Sequence, residues 1–196
     1  PPPPPPPPLF FLNNKTEYAI LSGLVGSEMC IRDRSNHWEK HQWGSIYGDA
    51  VDETEAPKEP DITYSKPLDS ILNSFVLQTG NKYQKKYSDE SHYNTSNFIF
   101  SFSEIRFNRY HIDQKMEMHF DHIKSLFNGY NPGIPVLSFI GALNDNYEGG
   151  ELVFWKDYSI KLKKGEVICF PSNFLYQHRV NPILSGVRDT FVCWAW

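Results

Sequence analysis

RYHIDQKMEMHFD, residues 109–121, is the stretch on which the reading of this chain turns. It holds two His-x-Asp pairs, His111-Ile112-Asp113 and His119-Phe120-Asp121. On an extended strand the side-chain period is two, so the His and the Asp of either pair point to the same side. Two imidazoles and one carboxylate on one face of a metal, with open positions opposite, form the donor set of mononuclear non-haem Fe(II) sites. A His-x-Asp pair supplies two of those donors, and the third has to arrive from a distant strand. His178, within FLYQHRV at 174–180, is a candidate for it. Such a pair is weak evidence by itself in a chain with seven histidines, most of which serve as surface or hydrogen-bonded core residues.

Ten residues beyond His178 stands Arg188, inside the otherwise apolar run VRDTFVCWAW (187–196). A buried guanidinium without an anionic partner is costly. A bound dicarboxylate would supply that partner through a charge-assisted, bidentate pair, and a structural Asp or Glu would serve as well.

Working outward, most of the chain reads as short strands. Phe98, Phe100 and Phe102 alternate with small or polar residues, and Ile105 and Phe107 continue the pattern. Residues 136–143 form an apolar run ending in Asn144-Asp145-Asn146. Residues 158–162 and 167–170 flank Lys163-Lys164-Gly165-Glu166 as a hairpin, and 187–196 is a last strand. Ahead of these, Pro67 opens a helix whose Leu68, Ile71, Leu72, Phe75, Val76 and Thr79 share one face, with Gly80 as its expected end. The expectation is a mainly β double-stranded β-helix, or jelly roll, with a supporting N-terminal α-helix.

The 196 residues carry a formal charge of −4 with 15% aromatics, which suits one globular domain and argues against a nucleic-acid partner. Three cysteines at unrelated spacings give neither a zinc pattern nor a disulfide framework, so a reducing, cytoplasmic setting is expected, without a membrane span. Residues 1–34 begin with eight prolines and continue without helical or strand period. They resemble translated adaptor text and are expected to be a disordered or non-native leader. Residues 35–196 are then the domain, with an iron-site core over 98–196.

The segment 109–121 resembles the iron-binding segment of prolyl 4-hydroxylase-type Fe(II)/2-oxoglutarate oxygenases. In that family an Arg-Tyr pair precedes the His-x-Asp, with the Tyr nine residues before the His, as Tyr110 precedes His119. The resemblance continues through LNDNYEGGELVFW (143–155) and KLKKGEVICFPS (161–172) to the spacing of His178, Arg188 and Trp194. It selects His119/Asp121 over His111/Asp113. It implies that His119, Asp121 and His178 hold Fe(II), and that Arg188, with Tyr110 and Thr190, holds 2-oxoglutarate. It further implies O2 as co-substrate and raises ascorbate as an accessory reductant. The expected activity is hydroxylation of a peptidyl or amino-acid side chain, with proline foremost and succinate and CO2 as co-products. The peptide, protein or small molecule so modified is the expected partner. The same iron chemistry on a nucleobase or metabolite is an alternative, as is a jelly-roll binding module without turnover. Asp113 stands where many relatives have glycine and Met116 where many have tyrosine, departures that bear on the choice of substrate.

Other features have plainer expectations. Gly149 and Gly150 suit a tight turn, and Cys169 and Cys193 suit buried thiols. Trp155, Trp194 and Trp196 suit core or cavity wall. His122 is expected outside the ligand set, and the loop 123–135 is long enough to act as a lid.

Overall fold

The structure, a computed structural model, describes residues 10–12, 38–41, 58–64, 66–91, 99, 101–121 and 134–196. The strands are β1 (Phe10–Leu12), β2 (Glu39–Lys40), β3 (Asp61–Tyr64), β4 (Arg106–Tyr110), β5 (Met116–His119), β6 (Leu137–Ala142) and β7 (Glu148–Gly149). They continue with β8 (Leu152–Phe154), β9 (Tyr158–Ile160), β10 (Val167–Pro171), β11 (His178–Val180), β12 (Ile183–Ser185) and β13 (Arg188–Ala195). Among the described residues one helix, α1 (Lys66–Ser91), precedes β4. The major sheet runs β1-β10-β6-β13-β4-β3-β2, the facing sheet β5-β11-β8-β9, and β12 pairs with β7. Every ladder is antiparallel. This is the expected jelly roll with its helix.

The helix lies on the outer face of the major sheet. Leu72, Val76 and Tyr83 pack with Phe107, Leu137, Phe139, Val167, Cys169, Phe191, Cys193 and Ala195. A second core fills the space between the sheets and joins Ile140, Ile168, Phe170, Val192 and Trp194 to Leu152, Phe154, Tyr176 and Val180. Gly80 does not end the helix, which runs on to Ser91. A Cβ there would lie 3.1 Å from Ile99 Cδ1 and 3.5 Å from a Phe139 ring carbon. Gly80 is thus a point of close approach between helix and sheet, and packing outweighs the roughly 1 kcal/mol that glycine costs a helix interior. Gly141 plays the same part within the sheet, because the ring of Phe191, its register partner, lies directly against it.

The expected hairpin over 158–170 is absent as such, because β9 pairs with β8 and β10 pairs with β6 and β1. The two strands belong to different sheets, and the Lys163–Glu166 turn carries the chain across: Gly165 N–H donates to Ala142 O and Ala142 N–H to Glu166 O. Of the extended pattern over 98–107, Phe102 makes a bridge to Ala195 and the regular strand begins at Arg106. Of the segment 1–34, only Phe10–Leu12 is described, as an edge strand on Val167–Cys169. His122 and most of the loop 123–135 lie outside the described residues. Among the described residues no helix is long and apolar enough to cross a membrane.

Candidate metal centre

β5 and β11 are neighbours in the facing sheet, and their register sets His119 directly opposite His178. Asp121 follows β5 by two residues. The metal-binding atoms of His119, Asp121 and His178 all lie within 4.8 Å of one another. Asp121 and His178 are buried and His119 is partly so. His119 Nδ1 sits 2.7 Å from Glu117 O, and His178 Nδ1 sits 3.0 Å from Tyr176 O. A carbonyl oxygen only accepts, so each Nδ1 carries a proton and each Nε2 is the ring nitrogen turned toward Asp121. Both Nε2 atoms face one oxygen: Asp121 Oδ1 is 3.5 Å from His119 Nε2 and 3.8 Å from His178 Nε2.

The other oxygen of Asp121 is occupied. Ser138 Oγ donates to Asp121 Oδ2 at 2.5 Å and lies 2.8 Å from Ser172 Oγ. Burial opposes ionisation of Asp121, but the His178 and His119 imidazoles and the Ser138 hydroxyl outweigh it and hold the carboxyl well below its usual range. His178 is pushed down to about 4, chiefly by burial and then by the neighbouring His119, against the opposing pull of Asp121. An anionic carboxylate and a neutral imidazole are the states in which these side chains bind a metal.

The second His-x-Asp pair goes elsewhere. His111 is half exposed and lies 3.3 Å from Asp61, while Asp113 takes φ of 67° in a turn. That positive φ accounts for a position that otherwise favours glycine.

Arg188 opens β13 and is 2% exposed, and Tyr110 is its register partner on β4. The guanidinium carbon lies 4.9 Å from the centre of the Tyr110 ring, whose phenol is raised chiefly by burial. Arg188 Nε is buried without a hydrogen-bond partner, and so is the hydroxyl of Thr190 on the same face. The carboxylate next in sequence, Asp189, faces the other way and forms a bidentate pair with Arg109, at 2.8 and 3.1 Å. Gly150, at φ of 64°, keeps space beside this arginine, since a Cβ there would come within 2.9 Å of Arg188 Cδ. Gly149 and Gly150 both have positive φ, in keeping with a turn. A buried guanidinium Nε and a buried hydroxyl left without partners, with no carboxylate among the described residues paired to the arginine, fit an anionic ligand bearing acceptor oxygens.

Ser138, Ser172 and the Arg109–Asp189 pair were not singled out from the sequence. Ser138 carried a signal there, as a lone hydroxyl within the apolar run 136–143 that needed a buried partner.

A jelly roll with two imidazoles and a carboxylate converging between its sheets defines the class of mononuclear metal-dependent, cupin-like proteins. Residues 105–196 match the profile of the 2OG-Fe(II) oxygenase superfamily. A PKHD-type hydroxylase of Idiomarina loihiensis is 34% identical over 96 residues, covering 47% of this chain and 42% of its own length. One from Shewanella oneidensis is 38% identical over 93 residues, covering 45% and 40%. The chain thus spans about two-fifths of the length of these curated relatives. Among solved structures, a prolyl hydroxylase from Trichoplax adhaerens, in complex with a hypoxia-inducible-factor peptide fragment, superposes with a TM-score of 0.69 at 15% identity. That match covers 96% of this chain and 83% of the other. A Pseudomonas putida prolyl-4-hydroxylase gives 0.64 at 14% identity, covering 95% and 91%. At such identities these two structures establish the shared fold.

Proposed function

We propose that this chain is an Fe(II)- and 2-oxoglutarate-dependent dioxygenase that hydroxylates a peptidyl or amino-acid side chain, proline foremost. The observation that carries the reading is the paired orientation of His119 and His178. Each ring is locked through Nδ1 so that both Nε2 atoms face the single available oxygen of Asp121. In this reading His119, Asp121 and His178 hold the iron, and Arg188 with Tyr110 and Thr190 holds the distal carboxylate of 2-oxoglutarate. When bound, iron supplies the redox chemistry that couples O2 and oxidative decarboxylation of 2-oxoglutarate, giving succinate and CO2, to substrate hydroxylation.

The protein's own contribution is positional. Ser138 keeps Asp121 single-ended, the Glu117 and Tyr176 carbonyls fix the imidazole tautomers, and the apolar walls from Phe154, Phe170 and Val192 exclude water. The hydroxylase names of the relatives and the peptide bound in the Trichoplax structure support a peptide or amino-acid substrate. Cys169 and Cys193 are buried thiols outside any disulfide, which suits a reducing, cytoplasmic setting.

Anaerobic titration of the protein with Fe(II) and 2-oxoglutarate tests the site. The expected result is a weak visible charge-transfer band, absent in Asp121→Ala, together with succinate release in air that the same substitution abolishes. A folded wild-type protein without the band or succinate would refute the proposal. Repeating the succinate assay with and without ascorbate reads the reductant requirement.

A further inference from the structure

The inner face of the major sheet holds a second arginine that the co-substrate does not account for. Arg106 starts β4, pairs in register with Val192, and alternates with Phe107, which faces the helix. It therefore shares the side of Asn108 and Tyr110. Its guanidinium carbon lies 5.0 Å from the centre of the Trp194 ring. Arg106 Nε is buried without a hydrogen-bond partner, as are Trp194 Nε1 and Asn108 Oδ1. Trp194 and Asn108 are themselves 7% and 4% exposed. No carboxylate among the described residues forms an ion pair with Arg106, and the buried carboxylate of Glu59 is engaged by His41 at 3.2 Å.

The register fixes where this group lies relative to the triad. Trp194 is the partner of Ser138, the serine that holds Asp121. Arg188 and Tyr110 lie at the far end of the same two strands, four residues from Arg106 along β4, or about 13 Å of strand. A 2-oxoglutarate anchored at Arg188 and reaching the triad has both carboxylates engaged, so the Arg106 end is left for another molecule. An arginine stacked on an indole keeps its in-plane N–H groups free for a carboxylate. The Trp194 N–H adds a donor, and the Asn108 oxygen adds an acceptor suited to a neighbouring amide N–H.

We propose that Arg106, Trp194 and Asn108 form the subsite that binds the prime substrate by a carboxylate lying next to an amide, making the substrate an acidic peptide segment or an N-acylated amino acid. This inference deepens the oxygenase reading and rests on it for the word substrate.

The test uses the whole 196-residue chain loaded with Zn(II) and excess 2-oxoglutarate, so that Arg188 is occupied and no turnover occurs. The indole N–H resonance of Trp194, assigned through Trp194→Phe, is followed during titration with three probes. N-acetylproline offers a free terminal carboxylate, N-acetyl-aspartyl-prolinamide a side-chain carboxylate, and N-acetylprolinamide neither. The expected result is a saturable shift with at least one acid and none with the neutral amide, weakened about tenfold or more by Arg106→Gln. The acid that binds more tightly identifies the terminal or the side-chain source. No shift with either acid overturns the proposal, as does an equal response to the neutral amide or an unchanged response in Arg106→Gln. Should that variant fail to fold, the wild-type preference for acid over amide decides. The oxygenase reading fails separately, through the missing Fe(II)/2-oxoglutarate band.

Discussion

The two faces of β13 and β4 solve the problem of buried charge in opposite ways. On the face turned to the helix, Phe191, Cys193 and Ala195 join an apolar core, and the one charged couple, Arg109–Asp189, is matched by two hydrogen bonds. On the face turned to the second sheet, Arg106 Nε, Asn108 Oδ1, Arg188 Nε, Thr190 Oγ1 and Trp194 Nε1 are buried without partners. The same strands hold both faces, so the difference is not one of depth. A polar group left unmatched lowers stability, and five on one face mark it as a surface built to receive something. The outer face stabilises the fold, and the inner face holds binding capacity at the expense of stability.

This contrast can be broken by substitution. The largest effect on stability is expected from Phe191→Ala, a loss of about 3–5 kcal/mol in urea unfolding, with the 2-oxoglutarate affinity of the folded fraction nearly unchanged. Arg188→Ala should do the reverse. Co-substrate affinity, read by calorimetry, should fall by about 2–5 kcal/mol, while stability without ligand should fall far less than in Phe191→Ala, because the buried Nε has no partner to lose. If Arg188→Ala instead destabilised the ligand-free protein as Phe191→Ala does, the two faces would not differ in kind.

Ser138→Ala sharpens the comparison at the metal centre. Freed of its donor, Asp121 loses its fixed orientation, and metal affinity is expected to drop roughly 10–100-fold, with only a small change in unfolding midpoint. The smallest effect concerns His41, beside Glu59 near the edge of the major sheet. Burial lowers its pKa, against the raising effect of the Glu59 hydrogen bond. A histidine with a depressed folded pKa binds its proton more readily when unfolded, so its contribution to stability is lost as pH falls below about 6.5. The unfolding midpoint of wild-type protein should therefore decline more steeply between pH 7 and 5 than that of His41→Gln. Parallel slopes would remove His41 from the account.

Which parts were legible in the sequence follows from whether the signal is local. The helix face showed itself through the spacing of Leu72, Val76 and Thr79, all of which are buried. The end of the helix did not, because the glycine at 80 answers to Ile99 and Phe139, which lie far along the chain. The alternation of Arg188 with apolar neighbours exposed its need for an anion. The same alternation turns the adjacent Asp189 away from it, but nothing local told that Arg109 would be the partner of Asp189. The pairing of 158–162 with 167–170 looked local and was not, since a short loop between two strands reads alike whether they share a sheet or belong to two. That His178 lies opposite His119 is likewise a fact of sheet register across a long separation, which strand-length patterns do not encode.

β13 carries its two sets of side chains on alternate positions of one eight-residue strand, with Arg188 inward and Phe191 outward. A single-residue insertion between them would turn one set the wrong way, placing a guanidinium in the helix core or a phenyl ring beside Tyr110 and Thr190. Length variation in this strand is consequently tolerable only in steps of two. Among homologous chains, single-residue gaps are to be found in the turn before Arg188 and not between it and Trp194.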